Sequence, residues 1–245
     1  MRIKNKVTII TGAASGMGEG EAIRFAKEGA KVVVADLNIE GAKFVAEEIK
    51  SFGGEAIAIG INVMKTEDIL NCVKITEDTY GPVDILVNNA GVFDKYATSL
   101  ETTLEQWNFF LNTNLTSVFQ FSNAVLPSMI KRGTGSIVNI ASIAGLVAGK
   151  GGAAYTVAKH GVIGYTKHLS SEYARYGIKI NAICPGTIET PLIKDIKHSI
   201  PKDNIPTRTF GQIEQVADLA VFLASDEAKF MNGVAVPIDG GFTIQ

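Results

Sequence analysis

Cysteine is almost absent from this chain of 245 residues: Cys72 and Cys184 are its only two, and they stand far apart. Two isolated cysteines exclude a disulfide framework and a clustered thiolate zinc site, so both are expected to be buried, reduced thiols. Histidine is scarce as well. His160, His168 and His198 lack metal-ligand spacing and are assigned to packing or surface roles, so no metal is expected. An excess of one charge is also missing. The formal net charge of −2 points neither to nucleic acid nor to an anionic membrane surface as a partner. No stretch approaches the roughly 18 apolar residues of a membrane span. Met1 to Lys6 lead directly into a strand-like run, with no long apolar segment or small-residue cleavage site, and the expected compartment is the cytoplasm.

Glycine and aliphatic residues, in contrast, are plentiful. The 25 glycines gather around residues 12 to 20, 53 to 60 and 145 to 152, as positional glycines do and linker glycines do not. A share of 46% hydrophobic to 20% charged residues is a soluble globular balance. Short β-branched runs recur at Val7 to Ile10, Val32 to Ala35, Ala56 to Ile59, Ile85 to Val87, Ile137 to Ile140, Ile178 to Ile183 and Val234 to Ile238. Between them, Glu19 to Lys27, Ile39 to Ser51, Glu67 to Tyr80, Leu104 to Ile130 and Ala153 to Tyr176 carry helical periodicity. Strand and helix in alternation imply an α/β fold: a Rossmann-type, doubly wound parallel sheet of about seven strands with helices on both faces. No Pro- or Ser-rich linker interrupts the order, so residues 1–245 read as one domain, with an irregular substrate-loop excursion at about 187–211.

Three features carry chemistry. Thr11-Gly12-Ala13-Ala14-Ser15-Gly16-Met17-Gly18 follows the first strand and opens a helix, where glycines permit a tight turn and close approach of a pyrophosphate to the helix start. The Gly-x-x-x-Gly-x-Gly spacing differs from the general dinucleotide fingerprint. Asp36 stands at the end of the second strand, where a carboxylate can accept both ribose hydroxyls of an adenosine and would repel a 2′-phosphate. Ser15 and Leu37-Asn38 supply no cation for that phosphate, so NAD is preferred over NADP. Tyr155 and Lys159 stand four apart, which on a helix puts phenol and ammonium on one face. A fixed cation favours the phenolate, so the pair can form an acid–base tyrosine with a lowered pKa.

These segments resemble the classical short-chain dehydrogenases/reductases, and the resemblance spans essentially the whole chain. Thr11 to Gly18 matches the family's cofactor loop, Asn88-Asn89-Ala90-Gly91 the motif after its fourth strand, and Ser142, Tyr155 and Lys159 its catalytic set. Asn114 matches its fourth catalytic position, and Pro185-Gly186 with Ile188 and Thr190 its nicotinamide-side segment. The resemblance implies Tyr155 as general acid/base, Lys159 on the nicotinamide ribose, Ser142 orienting the substrate oxygen and Asn114 holding a water in a proton relay. The implied cofactor contacts are Gly12, Ser15, Gly16, Met17, Gly18, Asp36, Asn62, Val63, Asn89, Ala90, Gly91, Tyr155, Lys159, Pro185, Gly186, Ile188 and Thr190. A homo-oligomer, dimer or tetramer, is implied by resemblance alone. The chain departs from the pattern at Asn62, where the family usually has Asp near the adenine; at Gly20, which weakens the first turns of the cofactor helix; and at Gln212-Ile213-Glu214, which lacks a common Pro.

The expected activity is hydride transfer between NAD(H) and a secondary alcohol or ketone. Alternatives are an NADPH-using 3-oxoacyl-carrier-protein reductase, for which Lys194, Lys197, Lys202 and Arg208 could form a docking patch, and a silent NAD-binding sensor. Trp107 is expected to anchor helix packing. The stretches Ile188 to Gly211, Val92 to Thr98 and Ala144 to Gly152 are expected to wall the substrate pocket; being mainly small or aliphatic, as at Ala144, Leu146, Val147, Ala148, Leu192 and Ile193, they imply an uncharged, modestly apolar substrate, with Lys95 and Lys150 unplaced.

Overall fold

A computed structural model of the protein describes residues 1–193 and 200–245. Seven strands form one parallel sheet: β1 (Val7–Thr11), β2 (Lys31–Asp36), β3 (Glu55–Gly60), β4 (Ile85–Asn88), β5 (Gly135–Ile140), β6 (Ile178–Pro185) and β7 (Ala235–Ile238). Their order is β3-β2-β1-β4-β5-β6-β7, every neighbouring pair being parallel. The chain builds outward from β1 in one direction through β3, then returns to β4 and builds in the other. Between β1 and β4 lies the switch point where ligands of such sheets bind, outside the carboxyl ends of the strands.

Among the described residues seven α-helices cover the sheet: α1 (Gly16–Lys27), α2 (Ile39–Ser51), α3 (Thr66–Tyr80), α4 (Leu104–Leu111), α5 (Ser117–Arg132), α6 (Ala153–Tyr173) and α7 (Ile213–Ala224). Successive strand residues feed opposite cores, as a period of two demands. Ile10, Val32, Val34, Val87 and Val138 join Ala22 and Phe25 of α1, Val45 and Ile49 of α2 and Val216 and Ala220 of α7. Ile9, Val33, Leu86 and Ile137 join Ile69 and Cys72 of α3 and Phe121, Val125 and Met129 of α5. In α2 the buried residues Ala42, Val45, Ala46 and Ile49 recur at helical spacing, so one stripe faces the sheet.

Two expected elements differ in detail. The helix read over 104–130 is interrupted by a π-helical turn at Asn112–Thr116, which separates α4 from α5. The last expected turn of α6 is a 3₁₀ turn at Ala174–Tyr176, ended by left-handed Gly177. Gly20 also has a tertiary reason: a Cβ there would lie 2.1 Å from Ile213 Cγ2, so the glycine lets α7 close against α1. Beside it, Glu21 is completely buried, and neither carboxylate oxygen has a hydrogen-bond partner. Burial pushes its carboxyl up to about 8, so Glu21 is protonated in the folded chain at neutral pH. Both cysteines are free and buried, as expected.

Candidate active site

Left-handed backbone and close contacts reserve the turn for glycine. Gly12 and Gly16 hold positive φ of 64° and 61°, and a Cβ on Gly12 would lie 2.8 Å from Ala90 Cα. At Gly18 a Cβ would lie 2.2 Å from the Gly12 carbonyl oxygen, so the first turn of α1 packs directly on the loop. Asn89 braces the same loop from β4, its Nδ2 donating to the carbonyls of Thr11 at 2.9 Å and Gly12 at 3.0 Å. The Thr11 hydroxyl accepts from the Asn89 and Ala90 N–H groups at 3.1 and 3.0 Å. Asp36 ties in the far side: one oxygen accepts from the Ala14 N–H at 2.9 Å and the other from the Asn38 N–H at 2.8 Å.

Around this loop opens a cleft of about 360 Å³. Gly12, Ser15, Gly16, Met17, Asp36, Asn62, Val63, Asn89, Ala90, Gly91 and Thr190, all expected cofactor contacts, line it. A helix start that the Ser15 side chain does not cap at one end and a carboxylate at the other fit a dinucleotide with a free adenosine ribose. Asn62 uses its Oδ1 locally, accepting from the Met64 N–H at 2.9 Å. Its Nδ2 is the group left to meet an adenine. Gly18 packs beneath the loop and does not line the cleft. Pro185, Gly186 and Ile188 do not line it either: Pro185 completes β6 against Ile238, Gly186 abuts Asp239, and Ile188 is buried on a bridge to Gly211. Val92, from a stretch expected to wall the substrate pocket, lines this cleft, and sequence reasoning missed Phe109 of α4 and Thr113 of the π-helical turn, which carry no motif.

The four expected catalytic residues converge from three elements. Lys159, buried in α6, donates through Nζ to the Ile140 carbonyl at 2.8 Å, pinning the end of β5 two residues before Ser142. Its Nζ is 5.5 Å from the centroid of the Tyr155 ring. Ser142 is buried, its Oγ accepting from the Ala144 N–H at 3.1 Å, and its hydroxyl acts on the Tyr155 phenol. Asn114 sits within the π-helical turn, fully buried. Its Oδ1 accepts from the Val92 N–H at 2.9 Å, while its Nδ2 donates to the Val92 and Phe110 carbonyls at 3.1 and 3.0 Å. Gly91 is wedged between the sets: a Cβ there would lie 2.8 Å from Asn114 Oδ1 and 3.6 Å from Lys159 Nζ.

The electrostatics correct one expectation. The Lys159 cation was to lower the Tyr155 pKa, yet burial pushes the phenol up to about 12, against the opposing influence of the Ser142 hydroxyl and with help from the Asp94 charge. Burial also brings Lys159 down to about 8. Desolvation penalises both charged forms and is the largest cause of each shift, and neither residue figures among the causes acting on the other. Tyr155 therefore stands as a proton donor at neutral pH.

The loop after β4, expected as pocket wall, also holds a helix cap that sequence reasoning missed. Asp94 is buried, and its carboxylate accepts from the Gly152 N–H at 2.7 Å and the Tyr155 N–H at 2.9 Å. It caps α6 from 61 residues away, satisfying N–H groups that the helix start leaves open. Phe93 stacks edge-on with both Tyr96 and Tyr155, centroids 5.0 and 5.1 Å apart. Backbone and ring of Tyr155 are thus both set by this loop. No local signal marks Asp94, because its partners are distant in sequence.

A second cavity, of about 300 Å³, is lined by Ile143, Thr187, Lys95, Lys150, Asp239 and Phe242 among others. Lys95 and Tyr96, Gly149 and Lys150, and Ile200, Pro201, Asn204 and Ile205 come from the three stretches expected to wall the pocket, whereas the aliphatic residues Ala144, Leu146, Val147, Ala148 and Ile193 do not line it, and the Leu192 side chain lies outside what is described. Lys194, Lys197 and His198 lie outside the described residues. His160 and His168 are exposed on α6, as expected of surface histidines. Trp107 is half-buried in a shallow groove with Ala153, on a helix that buries none of its residues.

Residues 12–243 match the family model described as enoyl-(acyl carrier protein) reductase. Cyclohexanol dehydrogenase of Acinetobacter sp. (strain SE19) is 39% identical over 242 residues, covering 99% of this chain and 96% of that protein. The 3-oxoacyl-[acyl-carrier-protein] reductase FabG of Thermotoga maritima is 38% identical over 247 residues, covering 100% of both. A solved short-chain type dehydrogenase/reductase from Mycobacterium marinum superposes with a TM-score of 0.95 at 31% identity, covering 99% of this chain and 97% of that one.

Proposed function

The chain belongs to the short-chain dehydrogenase/reductase family, and on that premise we propose that it is an NAD-dependent oxidoreductase interconverting a secondary alcohol and its ketone. The observation that carries this reading is the convergence of Ser142, Tyr155 and Lys159 beside a cleft that ends on Asp36. NAD, held by the glycine loop and Asp36, would supply or accept the hydride. The chain's own residues handle the oxygen and its proton. Ser142 and Tyr155 would donate to the carbonyl oxygen and stabilise the charge developing there. Tyr155 delivers its proton in reduction and, as phenolate, removes one in oxidation. Lys159 favours that phenolate when it is charged, and Asn114 holds the loop that flanks it.

Asp36 supports NAD over NADP because both its oxygens already face N–H donors of the loop and leave a negative charge where a 2′-phosphate would lie. Side-by-side steady-state kinetics with NAD and NADP on a panel that includes cyclohexanol test this. At least about tenfold higher kcat/KM with NAD, a difference of about 1.4 kcal/mol, is expected. Preference for NADP would overturn it. A second reading, reduction of a 3-oxoacyl carrier-protein thioester with NADPH, draws on the FabG relative, and turnover of acetoacetyl thioesters with NADPH would favour it. Exposed Leu104, Phe109, Phe119 and Val157 on α4, α5 and α6 support a homo-oligomer, dimer or tetramer. The expected site of action is the cytoplasm.

A further inference from the structure

The second cavity is bounded by the catalytic elements. Ile143 follows Ser142, Thr187 follows the end of β6, and Tyr96 stacks on the Phe93 ring that touches Tyr155. Three charged side chains line it: Lys95, Lys150 and Asp239. Asp239 is engaged in its own turn, accepting from the Gly241 N–H at 3.0 Å and from the Thr243 N–H and hydroxyl at 2.8 and 2.7 Å. The cavity carries two ammoniums against this one carboxylate, and neither Lys95 nor Lys150 forms an ion pair or hydrogen bond among the described residues. Lys150 lies over the Phe242 ring, its Nζ 4.2 Å from the centroid, which fixes its position without cancelling its charge.

The two lysines are also placed by the machinery that places Tyr155. Lys95 and Tyr96 both hold left-handed backbone, with φ of 51° and 64°. Residues with side chains keep that conformation where surrounding contacts over-determine it. The contact responsible is Asp94, immediately before Lys95, which takes the N–H groups of Gly152 and Tyr155. Gly152 is two residues beyond Lys150. One carboxylate thus joins the Lys95 loop, the Lys150 loop and the tyrosine backbone into a single node, so that an anion between the lysines would sit in fixed register with Tyr155. The cavity offers two point charges and lacks an arginine fork among its lining residues, while Asp94 already occupies N–H groups at the start of α6. That donor set matches a singly charged carboxylate.

We infer that this cavity binds a carboxylate carried by the substrate away from the reacting carbon, making hydroxy acids and oxo acids the preferred substrate class. This rests on the alcohol–ketone reading above, and it replaces the uncharged substrate expected from the sequence. The test uses wild-type enzyme with NAD and with NADP on 3-hydroxycyclohexane-1-carboxylate, its methyl ester and its primary amide, and on the matching ketones with the reduced cofactors. The acid is expected to exceed the ester in kcat/KM by about tenfold or more, through KM. Lys95→Met and Lys150→Met should each cut the acid-to-ester ratio by about tenfold, with folding followed by melting and NADH fluorescence. An ester or amide preferred over the acid by wild type, a comparison that needs no variant, overturns the inference and leaves the alcohol–ketone reading standing. So does a ratio that neither substitution changes. Silence on all three alcohols and all three ketones, with NADH still bound, overturns the underlying reading as well.

Discussion

Glu21 offers the sharpest energetic test, because α1, the helix that carries the glycine turn, buries a carboxyl with no partner. Its side chain has no solvent exposure, neither oxygen is hydrogen-bonded, and burial raises its pKa from an ordinary 4.5 to about 8. The sign follows directly. Between those values the folded chain holds a proton that the unfolded chain releases, so stability is fullest below the unfolded pKa, falls as pH rises and levels off above the folded pKa. Each pH unit in that window is worth about 1.4 kcal/mol, which makes the loss on the order of 3 kcal/mol by pH 7. Glu21→Gln keeps the shape and removes the titration. Its stability relative to wild type should therefore climb steadily with pH, reaching a melting-temperature gain of roughly 5–10 °C at neutral pH for a chain of this size. Thermal melts of both proteins from pH 5 to 9, at one protein concentration, give the comparison. A gap between them that is the same at pH 5 and pH 8 would refute the reasoning.

Two further substitutions probe the site. Gly18→Ala would drive a methyl to 2.2 Å from the Gly12 carbonyl, so NADH affinity should fall by at least about tenfold, or about 1.4 kcal/mol, in a fluorescence titration. Gly164→Ala, with nothing within 4 Å of its added Cβ, serves as the control. Asp94→Ala removes the acceptor of the Gly152 and Tyr155 N–H groups, and kcat should drop by about 10- to 100-fold, since small misplacements of a reacting group are costly. Because the Asp94 charge helps hold the phenol up, the alkaline limb of the pH–rate profile should also move to lower pH, which merely loosened packing would not cause.

The strands were legible because β-branched residues feed two cores at a period of two, as Ile9 and Ile10 or Val33 and Val34 do. The cleft at the glycine turn was legible because that turn and Asp36 have local signatures, and both line it. What the sequence hid depends on distance in the chain or on burial. The π-helical turn around Asn114 has no compositional mark, so 104–130 read as one helix. Gly20 read as a defect until Ile213 was seen against it. Spacing placed Lys159 beside Tyr155 correctly but could not say that desolvation dominates the shift of each. Lys95 and Lys150, 55 residues apart in number, gained meaning only when Asp94 brought their loops together.

The central claim is that Tyr155 moves the proton while NAD moves the hydride. Tyr155→Phe removes the hydroxyl and keeps the ring that stacks on Phe93. With NADH binding verified by fluorescence, kcat for ketone reduction and alcohol oxidation should fall by at least about 10²-fold, the usual weight of a positioned acid–base group. Turnover near that of wild type in either direction would contradict the account.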